Sequence, residues 1–356
     1  MSILFAILIF SFLVFIHELG HFVAAKLSGV QVNEFALFMG PAIWKKQIGE
    51  TLYAIRCIPI GGYCAMEGED GEEGESDNPR SFQKAAWWKR FAILVAGAFM
   101  NFVAGVLIFA IVFLPVSTVA EPVIAQFDDC CVFDGADGLQ VGDKILSIDG
   151  EEVILNGDIS LLFQLNPTGV HDVTVLRGGQ TITLDDLPMT HIHTNEDGTE
   201  YSHYGIRFGV AKELDIPGRF AYVWDNVVNT VRNVRLSLQM LLTGKAGLAD
   251  MSGPVGIVSI MSEVADSSET LLAAVMNMLY FGGFLGINLA VMNLLPIPAL
   301  DGGRVVGLLI STTYEAVTKK KLNPKYEGWV HGAGMILLLA LMGVIMFKDI
   351  FVIIMG

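Results

Sequence analysis

The stretch Ile3 to Leu27 reads ILFAILIFSFLVFIHELGHFVAAKL, and its apolar length decides the architecture. A spanning helix needs about 20 predominantly apolar residues, which this run supplies. It also carries His17, Glu18 and His21 in a His-Glu-x-x-His arrangement. Residues four apart share one helix face, so both imidazoles can meet one metal ion with Glu18 beside them, the pattern of a zinc hydrolase. Counted from Ile3, His17 lies about 21 Å along the helix, against a hydrocarbon core of about 30 Å. The metal is therefore predicted inside the membrane, nearer one side.

Three further apolar blocks follow, Phe91 to Val116, Leu271 to Leu295 and Trp329 to Ile354. With 356 residues and 53% hydrophobic content, the chain reads as an α-helical multi-pass membrane protein of about four transmembrane helices. The polar region from about Ser117 to Thr270 leaves room for one soluble domain. A net charge of −15 excludes a nucleic-acid partner, since phosphate binding needs a basic surface. The first block has no basic residue before it and no small-residue cleavage pattern after it, so it reads as retained rather than as a signal peptide.

Orientation follows the basic residues near the membrane ends. Arg304, Lys319, Lys320, Lys321 and Lys325 cluster between blocks three and four, and Lys26, Lys45, Lys46, Lys84, Lys89 and Arg90 between blocks one and two. Ser117 to Asp143 and Ala246 to Thr270 contain none. The soluble domain and both termini are thus expected outside, with the His-Glu-x-x-His end of the first helix facing the cytoplasm.

Between the first two blocks, Phe35 to Phe38 and Thr51 to Arg56 look like short strands joined through Ile48-Gly49-Glu50 and ending in Ile58-Pro59-Ile60-Gly61-Gly62-Tyr63. This predicts a membrane-associated β-hairpin whose edge suits an extended peptide, or else a soluble hairpin without substrate contact. Glu67 to Asp77 holds seven carboxylates and reads as a solvated linker. Trp87, Trp88, Lys89 and Arg90 read as an interfacial anchor, and Asn101 either lines the site or bonds a neighbouring helix. The four cysteines, Cys57, Cys64, Cys130 and Cys131, lack metal-site spacing.

In the polar region, Gly138 to Gly150 (GLQVGDKILSIDG) followed by Val173 to Leu176, the turn at Arg177-Gly178-Gly179 and Thr181 to Leu184 resembles a PDZ domain, present once. Such a domain binds peptide ends by strand addition, or serves here only as a plug that keeps large outer domains away. His191, His193 and His203 lack a third ligand at defined spacing and read as a solvated turn. Pro217 to Leu242 has apolar residues at helical spacing and is an amphipathic helix, either on the outer membrane face or docked on the PDZ-like domain.

The third block ends in Asn293-Leu294-Leu295-Pro296-Ile297-Pro298-Ala299-Leu300-Asp301-Gly302-Gly303, where the prolines stop the helix. Asp301 is the natural third ligand: two His, a carboxylate and water complete a catalytic zinc site. The fourth block reads as structural.

Together His17 to His21, Ile58 to Tyr63, Gly138 to Gly150, Ser252-Gly253-Pro254-Val255-Gly256-Ile257 and Asn293 to Gly303 resemble, in order along nearly the whole chain, the site-2 protease family of intramembrane zinc metalloproteases, in its bacterial PDZ-containing branch. The resemblance implies a zinc endopeptidase of the bacterial inner membrane that cuts membrane-anchored proteins within their transmembrane segment. Anti-sigma factors and remnant signal peptides are the usual targets, often after an upstream site-1-type protease has acted. By position, His17, His21 and Asp301 would hold Zn2+, Glu18 would be the general base, and Asn293, Gly61, Gly62 and Tyr63 would hold the substrate strand. The implied division is a membrane core over 1–116, a PDZ-like domain over 117–211, the amphipathic helix and connector over 212–270, and the rest of the membrane core over 271–356. Ala98 stands where the family pattern has proline, a departure that touches only local helix geometry. Two other classes remain: a non-catalytic PDZ-bearing membrane scaffold, and a metal transporter, whose ionisable groups would line a path rather than share one depth.

Overall fold

A computed structural model describes residues 2–69, 77–128, 138–166, 168–189, 191–194, 200–203, 205–247, 250–320 and 324–355. Cys130 and Cys131 and most of the acidic run fall outside these residues. In chain order the elements are α1 (Ser2–Ser28), β1 (Val32–Ile48), β2 (Thr51–Met66), α2 (Trp87–Phe113), β3 (Thr118–Phe127), β4 (Lys144–Ile148), β5 (Glu151–Glu152), α3 (Asp158–Leu165), β6 (Val170–Arg177), β7 (Gln180–Pro188), β8 (His191–Thr194), β9 (Glu200–His203), β10 (Ile206–Glu213), α4 (Ile216–Leu242), α5 (Pro254–Asp266), α6 (Leu271–Asn293), α7 (Asp301–Thr318) and α8 (Pro324–Met355). They form two compact units, one of Met1–Val112 with Ala246–Gly356, the other Phe113–Lys245.

Four helical segments in the described residues are long and apolar enough to cross a membrane: Leu4–Ser28, Trp87–Phe113, Leu271–Asn293 and Gly328–Met355. They coincide with the four apolar blocks, as a multi-pass membrane protein requires. Helix α1 stops where Gly29 takes φ +80°, with Val30 N–H donating to the Ala25 carbonyl, a left-handed stop that a glycine adopts without steric cost. The spans approach through small residues. A Cβ on Gly20 of α1 would meet the Ala96 carbonyl of α2 at 2.3 Å, and one on Gly105 of α2 would meet the Ile287 side chain of α6 at 2.6 Å. In an apolar solvent helix contact comes from such close approach, because hydrophobic burial offers no gain between helices.

The hairpin differs from the expected short strands. Strands β1 and β2 run through 17 and 16 residues, turning at Gly49-Glu50, and bend back so that one stretch of β1 lies between two stretches of β2. Ala36 pairs with Tyr63 on one side and Ala54 on the other. At the tip, Glu50 accepts from Lys26 Nζ at 2.7 Å and Arg80 Nη1 at 2.5 Å, tying the turn to the end of α1. These two cations hold its carboxyl down to about 2. The start of the acidic run is not free linker: Glu69 pairs with Arg304 of α7, and Glu67 accepts from Asn33 at 2.8 Å. Helices α5 and α7 were not foreseen from the sequence.

In the second unit the strands run β10-β3-β4-β6-β7, with β5 on β4. Ile145, Ile148, Val173 and Val175 from the sheet and Ile159, Leu162 and Phe163 from α3 make its core. Leu236 of α4 enters the same core, and Arg232 of α4 pairs with the buried Asp158 at 2.6 Å. Of the two readings of this amphipathic helix, its C-terminal half follows the docked one. Strands β8 and β9 form a separate pair, with His191 opposite His203.

Candidate metal centre

One turn of α1 brings His17 and His21 side by side, and α2 fixes how they point. His21 Nδ1–H donates to the Ile93 carbonyl at 2.8 Å. A carbonyl can only accept, so the hydrogen is on Nδ1 and the Nε2 lone pair is left free to ligate. His17 Nδ1 lies 3.3 Å from the side-chain amide of Asn101, which is 1% exposed and whose Oδ1 has no other partner. The amide presents Nδ2 to the ring; turned over, it would offer its unpartnered Oδ1 to a hydrogen on His17 Nδ1 and leave Nε2 free for a metal.

The third group arrives from far along the chain. After α6 ends at Asn293, the turn through Pro296 and Pro298 leads directly into α7, whose first residue is Asp301. Asp301 is thus not the tail of the third span but the start of a separate helix. Gly302 and Gly303 allow this: a Cβ on either would fall 2.3 Å from the carbonyls of Leu294 and Leu295 or of Ile297. Asp301 Oδ2 lies 3.2 Å from His17 Nε2 and 3.4 Å from His21 Nε2, and the two Nε2 atoms are 3.2 Å apart.

This triangle fits a bound cation. Asp301 Oδ2 is buried with no hydrogen-bond partner, and it meets the two Nε2 atoms at contact distance. Ligands held about 2.0 Å from one tetrahedral zinc stand roughly 3.3 Å apart, the spacing of all three edges. Among the described residues, His17, His21 and Asp301 form the one group of His, Cys, Asp and Glu side chains so gathered.

Two glycines make the room. A Cβ on Gly97 of α2 would lie 2.3 Å from His21 Nε2 and 2.8 Å from His17 Cε1. One on Gly62 of β2 would lie 3.2 Å from Glu18 Cγ, so the hairpin strand runs directly against the proposed base. Of the other expected substrate residues, Gly61 takes φ +71° with its Cα turned toward Met39. The Tyr63 hydroxyl accepts from Arg56 Nη2 at 2.5 Å, so that side chain is held within the hairpin by an arginine that also pairs with Glu34 at 2.6 Å. Asn293 is half-buried at the end of α6. Sequence reasoning passed over Gly97, although Gly97, Asn101 and Gly105 recur every four residues along one face of an apolar helix, a readable sign of a packed face.

The family model described as Peptidase family M50 matches residues 5–341. The chain is 34% identical over 351 residues to a Clostridium perfringens protein provisionally named a zinc metalloprotease, covering 98% of each chain. It is 35% identical over 349 residues to a Clostridium acetobutylicum protein of the same description, covering 98% and 97%. To the regulator of sigma-W protease RasP of Bacillus subtilis it is 30% identical over 425 residues, covering 97% of each.

Proposed function

The chain belongs to peptidase family M50, and from that premise we propose that it is an intramembrane zinc endopeptidase cutting membrane-anchored proteins within their transmembrane segments. The observation that carries this reading is the triangle of His17 Nε2, His21 Nε2 and Asp301 Oδ2 with edges of 3.2 to 3.4 Å, its two imidazoles on a helix apolar enough to span a bilayer.

His17, His21 and Asp301 are the zinc ligands. A zinc ion held there supplies an acidified water and a Lewis acid for the scissile carbonyl. Glu18 takes the proton of the attacking water and passes it to the leaving amide nitrogen. Ile93 and Asn101 keep the imidazoles turned with Nε2 inward. The strand at Gly61 to Tyr63 receives the unwound substrate by edge pairing, and Asn293 helps hold it.

Residues 117–211 are a PDZ-like domain on the outer side of a bacterial inner membrane, with the metal centre toward the cytoplasm. Support comes from the sheet with β10 at its edge, the helix α3 packed on it, and the basic connections between spans. Anti-sigma factors or remnant signal peptides, shortened first by a site-1-type protease, are the substrates; of these, the name of the Bacillus subtilis relative, a regulator of sigma-W, supports a sigma-linked target. Incubating the purified protein with such a substrate, with and without a zinc chelator, tests this. Chelator-sensitive cleavage inside the apolar segment is expected. Peptide binding without any cleavage would favour the scaffold.

A further inference from the structure

Helix α8 reads as an inert fourth span, yet it touches the loop that delivers the metal-binding carboxylate. His331 Nδ1 accepts the backbone N–H of Ala299 at 3.0 Å. One turn on, Gly334 faces the same loop so closely that a Cβ there would lie 2.5 Å from Pro298 Cβ and 2.8 Å from the Pro298 carbonyl oxygen. His331 and Gly334 thus meet the dipeptide Pro298-Ala299 from one face of α8.

Ala299 needs such a grip. Its φ is +77°, a left-handed conformation that a residue with a Cβ takes only when its surroundings impose it. It stands two residues before Asp301, with Leu300 N–H bonded back to the Ile297 carbonyl at 3.2 Å. The loop is therefore a tight turn whose direction fixes where α7 begins, and so where the Asp301 carboxylate arrives. Without that acceptor, the part-buried Ala299 N–H would lose its bond, a cost the loop would relieve by relaxing its backbone. A relaxed φ at Ala299 re-aims everything after it.

We propose that His331 is a positioning residue for the metal site: by accepting the Ala299 N–H it locks the left-handed turn that aims Asp301 at His17 and His21. This rests on Asp301 being a metal ligand, and the experiment separates the two statements.

The test uses the full chain in detergent micelles, with zinc retention against a competing chelator and the visible spectrum of the cobalt-substituted protein as readouts beside cleavage. His331→Ala is expected to lower zinc affinity by about 10–100-fold, the range for lost outer-shell partners, to alter the cobalt spectrum, and to reduce kcat with KM little changed. His331→Asn, whose Oδ1 reaches the place of Nδ1, should retain zinc. Ala299→Gly, which takes the left-handed turn without strain, should recover part of the loss in the His331→Ala background. Unchanged zinc affinity and cobalt spectrum in His331→Ala would overturn the proposal, as would His331→Asn losing zinc. Should His331→Ala fail to fold, His331→Leu serves in its place and must lose zinc where His331→Asn keeps it. Asp301→Ala is the control: if it holds zinc as the parent does, the ligand assignment itself fails. If it loses zinc while His331→Ala does not, only the positioning role falls.

Discussion

Gly97 on α2 lies so close beneath His21 on α1 that a Cβ at Gly97 would stand 2.3 Å from the imidazole Nε2. The candidate metal centre depends on an absent side chain. Gly97→Ala should push the His21 ring off the axis it shares with His17 and Asp301. Zinc content should fall and cleavage drop by about 100-fold, the usual consequence of a displacement near 1 Å, while helical content by circular dichroism stays unchanged. Full activity in Gly97→Ala would mean that the two helices are not held this closely.

Glu18 lies outside the candidate metal group of His17, His21 and Asp301, so on the proposed roles binding and chemistry should separate there. Glu18→Gln is expected to keep zinc at one per chain and to lose cleavage by about 10²–10⁴-fold, the share of a general base. Metal analysis beside a cleavage assay decides it. Loss of zinc together with activity would make Glu18 a ligand instead.

Asn101 is almost wholly buried, and its side-chain contact is His17. Asn101→Ala frees the His17 ring to rotate and should cost about 10-fold or more in zinc affinity. Asn101→Asp, which keeps an acceptor at that place, should cost less. Equal loss in both variants would point to packing rather than to the hydrogen bond.

At the hairpin tip, Arg80 and Lys26 hold the Glu50 carboxyl down to about 2. A carboxyl depressed in the folded state stabilises it fully above its unfolded value near 4.5, and that stability is lost as pH falls toward about 2. The effect is modest because the cluster faces solvent. Hydrogen exchange at the Gly49-Glu50 turn should therefore quicken relative to the hairpin body between pH 4.5 and 2, and Glu50→Gln should abolish that dependence. A turn equally protected across the range would show that the two cations do not hold it.

A peptide bond inside an intact helix hides its carbonyl, so under the proposed function the substrate would have to unwind before cleavage. Anchored substrates with Gly, Pro or Asn near the cut should be cleaved faster than a poly-leucine segment, measured as initial rates on otherwise identical substrates. Equal rates would mean that unwinding does not limit the reaction.

The pattern of apolar runs and the spacing of His17, Glu18 and His21 were fixed by local sequence, because span length and helical period are properties of neighbouring residues. So was the end of α6, which proline chemistry dictates. The fold of the hairpin was not, because β1 lies between two stretches of β2 whose pairing depends on distant registers. Nor was the start of α7 at Asp301, which needs two glycines against three carbonyls that no sequence pattern brings together. Which atoms Gly97, Ile93, Asn101 and His331 stand against belongs to the tertiary structure alone. Each acts by standing where another helix passes, and closeness between helices is decided by packing, not by order along the chain.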